Sequence, residues 1–380
     1  MEFLMSAAIY VVPFIVVLSV VVFVHEYGHF IVGRLCGIRV DAFSLGFGPE
    51  LVAFDDRLGT RWRIAAIPLG GYVKFHGDAN GATAGVSEEV ESMPAEERAT
   101  TFAAQPVWKR AAVVFAGPFF NFLLAIALFW GMFAIVGKPI LVDGQPVVAP
   151  RIAAIQDKGA GAAAGFKSGD LVKSIDGAPI DSFIQFQKAI TVSAGKTLRI
   201  VVARDDGETE LLATPALVDV KGNKVGRLGL NSSDDFRDMR MQACGPAESL
   251  GLALLETWNV VEQTGKFVGG MFSGRESASQ LSGPIGIAEV SGNMAKKIGT
   301  MGVWPLINLI ALLSVSIGLL NLMPVPLLDG GHLAFFAVEA VRGRAINERV
   351  QEYAFRIGLA MVCSLMLFAT YNDLARHIHL

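Results

Sequence analysis

The chain has 380 residues, of which 52% are hydrophobic and only 18% are charged, and its mean hydropathy is +0.48. Soluble domains carry about 25% charged residues, so the composition predicts a membrane protein. The net charge of −3 and the lack of a basic stripe with interleaved aromatic residues argue against a nucleic-acid partner. The three cysteines lie far apart and match no zinc or disulfide spacing.

A transmembrane helix needs about 20 predominantly apolar residues, and four stretches of the chain approach or exceed that length. In chain order they are residues 1–34, which end in VVFVHEYGHFIVGR; 111–137, which contain one strongly polar residue, Asn121; 304–332, which end in NLMPVPLLDGGH; and the shorter 353–371, with a tail at 372–380. We therefore predict a multi-pass α-helical membrane protein with about four transmembrane helices.

The segments between these helices have other patterns. Residues 35–110 begin with alternating apolar and polar residues around Gly and Pro, which predicts β-hairpins associated with the membrane. Residues 145–232 contain short strand-like runs, Gly-rich turns and one helix, which predicts a soluble α+β domain. Residues 245–303 begin with a helical pattern that carries Glu and Lys, so we expect an amphipathic segment and not a span.

The distribution of Lys and Arg near the helix ends predicts the orientation in the membrane. Basic residues are frequent between the first two helices, and Arg342, Arg344 and Arg349 follow the third. We expect both connections to be cytoplasmic. The 145–232 domain and the 245–303 segment then lie outside.

The first apolar segment carries HEYGH at residues 25–29. Residues four apart share one face of a helix, so His25 and His29 can bind one zinc ion with Glu26 beside them as the general base of a metalloprotease. The alternative is a pair of buried histidines satisfied by hydrogen bonds. Ionisable groups in an apolar segment are costly without a compensating partner, which favours the metal site.

Catalytic zinc usually takes a third protein ligand and leaves one position open for water. Asp329 ends the third apolar segment, and the predicted topology places it at the same membrane depth as the two histidines. The rival ligand is His332, and the alternative for Asp329 is an ordinary aspartate at a helix end.

Polar residues and prolines near these positions predict a substrate site. Pro324 and Pro326 disrupt a helix and so expose backbone that can bind an extended substrate. Asn321 is predicted to bind substrate or loop backbone, and Asn121 is a candidate supporting residue. The alternative for each asparagine is a polar contact between helices.

Six stretches together carry a resemblance over nearly the whole chain: HEYGH (25–29), GFG (46–48), IPLGGYVKF (67–75), AGPFFN (116–121), SGPIGIA (282–288) and NLMPVPLLDGGH (321–332). In this order they resemble the site-2 protease family of intramembrane zinc metalloproteases, in its bacterial RseP-type branch. The resemblance implies that His25, His29 and Asp329 bind zinc, that Glu26 is catalytic and that residues 321–329 hold substrate.

The same resemblance extends to two further regions. Residues 61–75 resemble the membrane-associated β-loop of the family, which implies that an unwound substrate adds as a strand along Gly70, Gly71, Tyr72 and Val73. Residues 145–232 resemble a single bacterial PDZ domain, through GAGAAAGFKSGDLVKSIDGAPI and GRLGL. Its groove either binds a carboxyl terminus or serves to exclude large substrates, and we expect exclusion or a purely structural role.

By this resemblance we expect a protease of the bacterial inner membrane that cleaves single-pass transmembrane segments. Membrane-anchored anti-sigma factors and remnant signal peptides are the expected substrates. The PDZ domain is expected on the periplasmic side and the active site toward the cytoplasmic face. The rival interpretations are a non-enzymatic PDZ adaptor and, less well supported, a transporter, which the lack of an inverted repeat disfavours.

Overall fold

The structure, a computed structural model, describes residues 2–77, 92–204, 206–220, 223–233, 235–277 and 282–378. The chain forms two compact units. The first, which we call the helical unit, comprises residues 1–132, 247–298 and 302–380. The second, the strand-rich unit, comprises residues 133–246 and 299–301.

Long helices dominate the helical unit. They are α1 (Glu2–Leu35), α2 (Val107–Ile135), and, after α3 (Phe183–Thr191) of the other unit, α4 (Pro246–Phe272), α5 (Pro284–Lys296), α6 (Trp304–Asn321), α7 (Asp329–Arg342) and α8 (Glu348–Ile378). Shorter helices lie at Ala95–Arg98, Ala160–Ala163 and Ile298–Met301.

Four helices in the described part of the chain are long and apolar enough to cross a membrane, which agrees with the predicted number. They cover residues 8–35, 107–135, 304–321 and 349–376. The bounds of two spans differ from the sequence prediction: α2 is Val107–Ile135 and not 111–137, and α8 is Glu348–Ile378 and not 353–371, so it includes most of the predicted tail. The last two residues of that tail lie outside the described residues.

The predicted 304–332 segment is two helices with a break between them. Helix α6 ends at Asn321 and α7 begins at Asp329, with Pro324 and Pro326 in the connection. Two glycines let α7 start directly beneath this connection. A Cβ atom on Gly330 would collide with the backbone carbonyls of residues 322 and 323, and one on Gly331 would collide with the carbonyl of Val325.

The hairpin of the helical unit consists of β1 (Val40–Asp55) and β2 (Arg61–Phe75), which pair antiparallel in more than one register. The first part of β1, residues 40–45, has partners on both sides: residues 61–64 and residues 71–75. The second part, residues 50–55, pairs with residues 61–65. Residues 71–75 therefore form an edge of this small sheet.

An ion pair and aromatic packing attach the hairpin to α1. The Asp56 carboxylate in the turn accepts hydrogen bonds from Arg34 at 2.5 Å and from Trp62 Nε1 at 3.0 Å. Beneath it, Phe30 of α1 packs edge-on against Phe43 and Trp62. The sheet is thus held beside the end of α1 that carries the HEYGH motif.

The strand-rich unit is built from short strands and α3. Its strands are β3 (Lys138–Pro139), β4 (Leu141–Val142), β5 (Gln145–Pro146), β6 (Ile152–Ile155), β7 (Leu171–Ile175), β8 (Ala178–Pro179), β9 (Leu198–Arg204), β10 (Gly207–Ala213), β11 (Ala216–Val220), β12 (Asn223–Arg227), β13 (Leu230–Ser232) and β14 (Met241–Gln242). Four of them form an antiparallel sheet in the order β10-β9-β7-β8. Ser182 caps α3 by accepting from the backbone of Gln185, and Phe186 and Ile190 of α3 pack into the unit's core.

A buried ion pair closes one side of that core. Asp170, 1% exposed, accepts from Arg204 at 2.7 and 2.9 Å and from the backbone of Lys167 at 2.8 Å. Burial opposes the charged carboxylate, but the Arg204 guanidinium and the Lys167 amide outweigh it and hold the pKa of Asp170 below its ordinary range.

We predict that Asp170→Asn destabilises the strand-rich unit by about 3 kcal/mol, because it leaves the arginine without its charged partner. Hydrogen exchange across 133–246 in the full chain measures the effect. The matched control is Asp181→Asn, since that side chain is 70% exposed. Because the folded-state pKa of Asp170 is lowered, the wild type is more stable than Asp170→Asn at neutral pH. This difference in stability is lost as the pH falls below about 4. Equal protection in the two variants would contradict this account.

Candidate active site

Three side chains from two distant parts of the chain meet in the helical unit. His25 Nε2 lies 3.1 Å from Asp329 Oδ2 and 3.2 Å from His29 Nε2, and the remaining separation, between His29 Nε2 and Asp329 Oδ2, is 3.6 Å. Ligand atoms about 2.0–2.1 Å from a tetrahedral zinc ion lie about 3.3 Å apart. The three atoms therefore have the spacing that one such ion requires.

The chemistry of these atoms also fits a metal ion. Oδ2 of Asp329 is buried and, within the described part of the chain, has no aligned hydrogen-bond donor. A buried carboxylate oxygen in this condition is costly unless a cation or a donor faces it. The two imidazoles and the carboxylate oxygen form a donor set that zinc accepts with one position left open.

Each histidine has a second contact on α2 that fixes its ring. Nδ1 of His29 lies 2.8 Å from the backbone carbonyl of Val113, which accepts its proton. Nδ2 of Asn121 lies 3.2 Å from Nδ1 of His25, and Asn121 Oδ1 has no partner among the described residues. When Nε2 binds a metal, Nδ1 carries the proton, and Oδ1 can accept that proton after a half-turn of the amide.

Gly117 lets the backbone of α2 lie against both rings. A Cβ atom built on it would lie 2.9 Å from Cε1 of His25 and would collide with the His29 ring. Gly28 of α1 has the matching role, since its Cβ would come within 2.5 Å of the carbonyl oxygen of Ala116. Both helices therefore need glycine where they cross.

Glu26 lies between the proposed metal ligands and the edge of the hairpin sheet. Glu26 and Val73 of the edge strand line the same cavity. A Cβ atom on Gly71 would be 3.0 Å from Cγ of Glu26 and 2.7 Å from the carbonyl oxygen of Ser44. The edge strand is thus packed directly on the candidate general base.

His25, Glu26, His29 and Asp329 line one cavity of about 610 Å³ that is open on one side. Every hairpin residue that the sequence predicts to bind substrate also lines the cavity: Gly70, Gly71, Tyr72 and Val73. Asn321 at the end of α6 also lines it, as do Leu327 and Leu328 of the α6–α7 connection. Pro324 is exposed and Pro326 packs against Gly331, so within the described residues the prolines shape the connection but do not line the cavity.

His332, the rival ligand, also lines this cavity, one turn after Asp329. The close triplet in the described part of the chain is nevertheless His25, His29 and Asp329, whose ligand atoms all lie within 4.8 Å of one another. The geometry therefore favours Asp329 as the third ligand, and the roles of all these residues stay predictions.

The model of Peptidase family M50 matches residues 13–365. The chain belongs to peptidase family M50. This family is that of the site-2 proteases, so the resemblance found in the sequence is confirmed, and the chain is a peptidase.

Several curated relatives of this M50 chain match over almost its whole length. A protein of Agrobacterium fabrum, provisionally named a zinc metalloprotease, is 46% identical over 371 residues and covers 96% of both chains. Metalloprotease MmpA of Caulobacter vibrioides is 37% identical, covering 97% of this chain and 96% of its own. Regulator of sigma-E protease RseP of Escherichia coli is 30% identical, covering 96% of this chain and 98% of its own.

Among solved structures, the M50 chain matches the PDZ domain of the SdrC-like protein from Listeria monocytogenes. The identity is 23%, the match covers 26% of this chain and 95% of that one, and the TM-score is 0.20. At this score the match does not assign the fold of the strand-rich unit.

Sequence reasoning on the M50 chain named Asn121 as a supporting residue but missed the other two residues of α2 that hold the histidines. Gly117 and Val113 act through their backbone, and a backbone role leaves no chemical signature in a side chain. Gly117 does stand in the AGPFFN stretch, four residues before Asn121. That spacing puts it on the same helix face as Asn121, which is the one signal that was available.

We predict that Gly117→Ala lowers the affinity for zinc, the metal that the sequence predicts, at least about tenfold, as loss of an outer-shell contact does. The added methyl group displaces rings that Val113 and Asn121 hold from behind. Chelator competition on the purified full chain measures the dissociation constant. The control on the same helix is Gly131→Ala, because no described atom lies within 4 Å of its Cβ position. Unchanged affinity in Gly117→Ala would show that the rings do not need this close approach.

Proposed function

We propose that this chain is a zinc-dependent intramembrane endopeptidase that hydrolyses peptide bonds within single-pass transmembrane segments. The observation that carries the proposal is the meeting of His25, His29 and Asp329 in one cavity with Glu26. Family membership supports the peptidase activity, and the names of the curated relatives support zinc as the metal.

His25, His29 and Asp329 hold the zinc ion in this proposal. When bound, zinc acidifies water and polarises a carbonyl group. Glu26 takes a proton from the attacking water on its carboxylate and returns it to the leaving amine. The close packing of Gly71 against Glu26 keeps that carboxylate beside the substrate path.

The substrate has to be extended at the bond that is cleaved, because the backbone carbonyls of a helix are already hydrogen-bonded. The edge strand at residues 71–75 has one side paired with β1, and the cavity lies along its Gly71–Val73 part. We assign the substrate to this edge as an added strand. Asn321, which lines the same cavity, supplies a further polar contact to the substrate backbone.

The substrate class and the location follow from the M50 assignment and the charge pattern. Anti-sigma factors and remnant signal peptides, shortened on their outer side, fit an enzyme that acts on single-pass segments. The E. coli relative is named for the regulation of sigma-E, which supports anti-sigma factors as substrates. The clustered Lys and Arg of residues 35–110 favour an active site toward the cytoplasm and an outer location for the strand-rich unit. We place the enzyme in the bacterial inner membrane.

The strand-rich unit is assigned as a single PDZ domain that limits the size of substrates. Support comes from its GRLGL segment, which borders a cavity of about 600 Å³ beside α3. Phe186 and Ile190 of α3 line one wall and Leu230 of β13 another. Such a groove also suits a carboxyl terminus, so carboxyl-terminal peptides that bind it would favour recognition over exclusion.

A non-enzymatic PDZ adaptor would need a different number of protein ligands at the metal site. A structural zinc ion usually has four protein ligands and no open position. The proposed site offers three, and membership of a peptidase family favours the enzyme. A fourth protein ligand in the metal-loaded chain would favour the adaptor.

We predict that Glu26→Gln keeps about one zinc ion per chain but lowers cleavage of a single-pass substrate at least about 100-fold. The amide retains the shape of the side chain but cannot take the proton, and general-base catalysis contributes factors of this size. Metal analysis and cleavage in proteoliposomes measure the two properties on the same preparation. Full activity with zinc retained would remove Glu26 from the mechanism.

A further inference from the structure

Arg110, near the start of α2, makes an ion pair within the helical unit that the proposed mechanism does not use. Its guanidinium lies 2.6 Å from the carboxylate of Glu339 on α7, and the two side chains are only 6% and 16% exposed. Arg110 Nε donates to the backbone carbonyl of Gln105 at 3.0 Å, and the guanidinium carbon lies 4.9 Å from the ring centre of buried Phe336. The pair is therefore fixed on three sides.

This ion pair attaches Arg110 to α7, the helix that begins with the third proposed ligand. Glu339 lies ten residues after Asp329 on α7, which is about 15 Å along the helix axis. The interval contains no proline, and Gly330 and Gly331 at its start are held against the 322–325 backbone. A shift or rotation of α7 at Glu339 is consequently transmitted to the Asp329 carboxylate.

The same face of α2 contacts the other two proposed ligands. Four of its residues recur at spacings of three and four and so share that face: Arg110, Val113, Gly117 and Asn121. The last three touch the imidazole rings, as described above, whereas Arg110 reaches α7. One helix face thus sets the position of the histidines and, at its end, the position of the helix that carries the aspartate.

We infer that Arg110 and Glu339 are positioning residues, which fix α7 on α2 and so hold the Asp329 carboxylate at the two histidines. The inference rests on the proposed metal site. Removing one partner leaves a buried charge without its counter-ion, which is more disruptive than removing both. Arg110→Met and Glu339→Met should therefore each displace α7, while the double variant should displace it less.

Zinc affinity of the purified full chain, measured by chelator competition, tests this inference. We expect each single variant to bind zinc at least about tenfold more weakly than the wild type, and the double variant to bind it more tightly than either single variant. The matched control is Arg204→Met. Arg204 pairs with Asp170 at 2.7 Å with 15% and 1% exposure, and both residues belong to the strand-rich unit and to neither ligand-bearing helix, so affinity should stay within threefold.

A second measurement does not depend on the metal. Hydrogen exchange at residues 329–336 of zinc-free protein should be faster in both single variants than in the wild type or in Arg204→Met. If the wild type binds no zinc but exchange responds in this way, the proposed metal site fails while the coupling of the ion pair to α7 stands. Single variants that keep wild-type zinc affinity and exchange, or that lose thermal stability with affinity unchanged, would overturn the inference. If Arg110→Met does not fold, the zinc affinity and hydrogen exchange of Glu339→Met alone test the inference.

Discussion

The site depends on the close approach of the α2 backbone to two imidazole rings on α1. At Gly117 the two helices lie so close that any side chain would occupy the space of the rings. This approach brings the Val113 carbonyl and the Asn121 amide within hydrogen-bonding distance of Nδ1 on each ring. Both Nε2 atoms are consequently directed to the same side, toward Asp329.

The break between α6 and α7 is the second constraint. In a continuous helix the backbone groups would be paired internally, and no helix end would lie beside the histidines. Ending α6 at Asn321 and restarting at Asp329 places a carboxylate on the first turn of a helix. The partial positive charge at a helix start stabilises an ionised carboxylate. The glycines after it allow the close turn that this restart needs.

Hydropathy and periodicity predict much of this arrangement. Helical spacing places His25 and His29 on one face, and the length of the apolar runs predicts the four spans. Topology alone suggests Asp329 as the third ligand, because two helices of the same direction end at the same depth. The prolines at 324 and 326 predict the interruption of the third segment, although not that the chain resumes as α7 directly at Asp329.

Other features need coordinates because they arise from contacts between distant elements. The glycine at position 117 carries no chemical group, and its reason is the position of two rings more than 85 residues earlier in the chain. Arg110 and Glu339 are separated by 229 positions, and each alone looks like an ordinary charge at the end of a helix. The double pairing of β1 depends on a register that the alternating pattern leaves undetermined.

The central claim is that one zinc ion is shared by two imidazoles and one carboxylate from opposite ends of the chain. X-ray absorption at the zinc edge of the purified full chain tests it most directly. The account predicts only nitrogen and oxygen neighbours at about 2.0–2.2 Å, two of them imidazoles, and the loss of this spectrum in Asp329→Ala. A sulfur neighbour at about 2.3 Å, or an unchanged spectrum in Asp329→Ala, would contradict it.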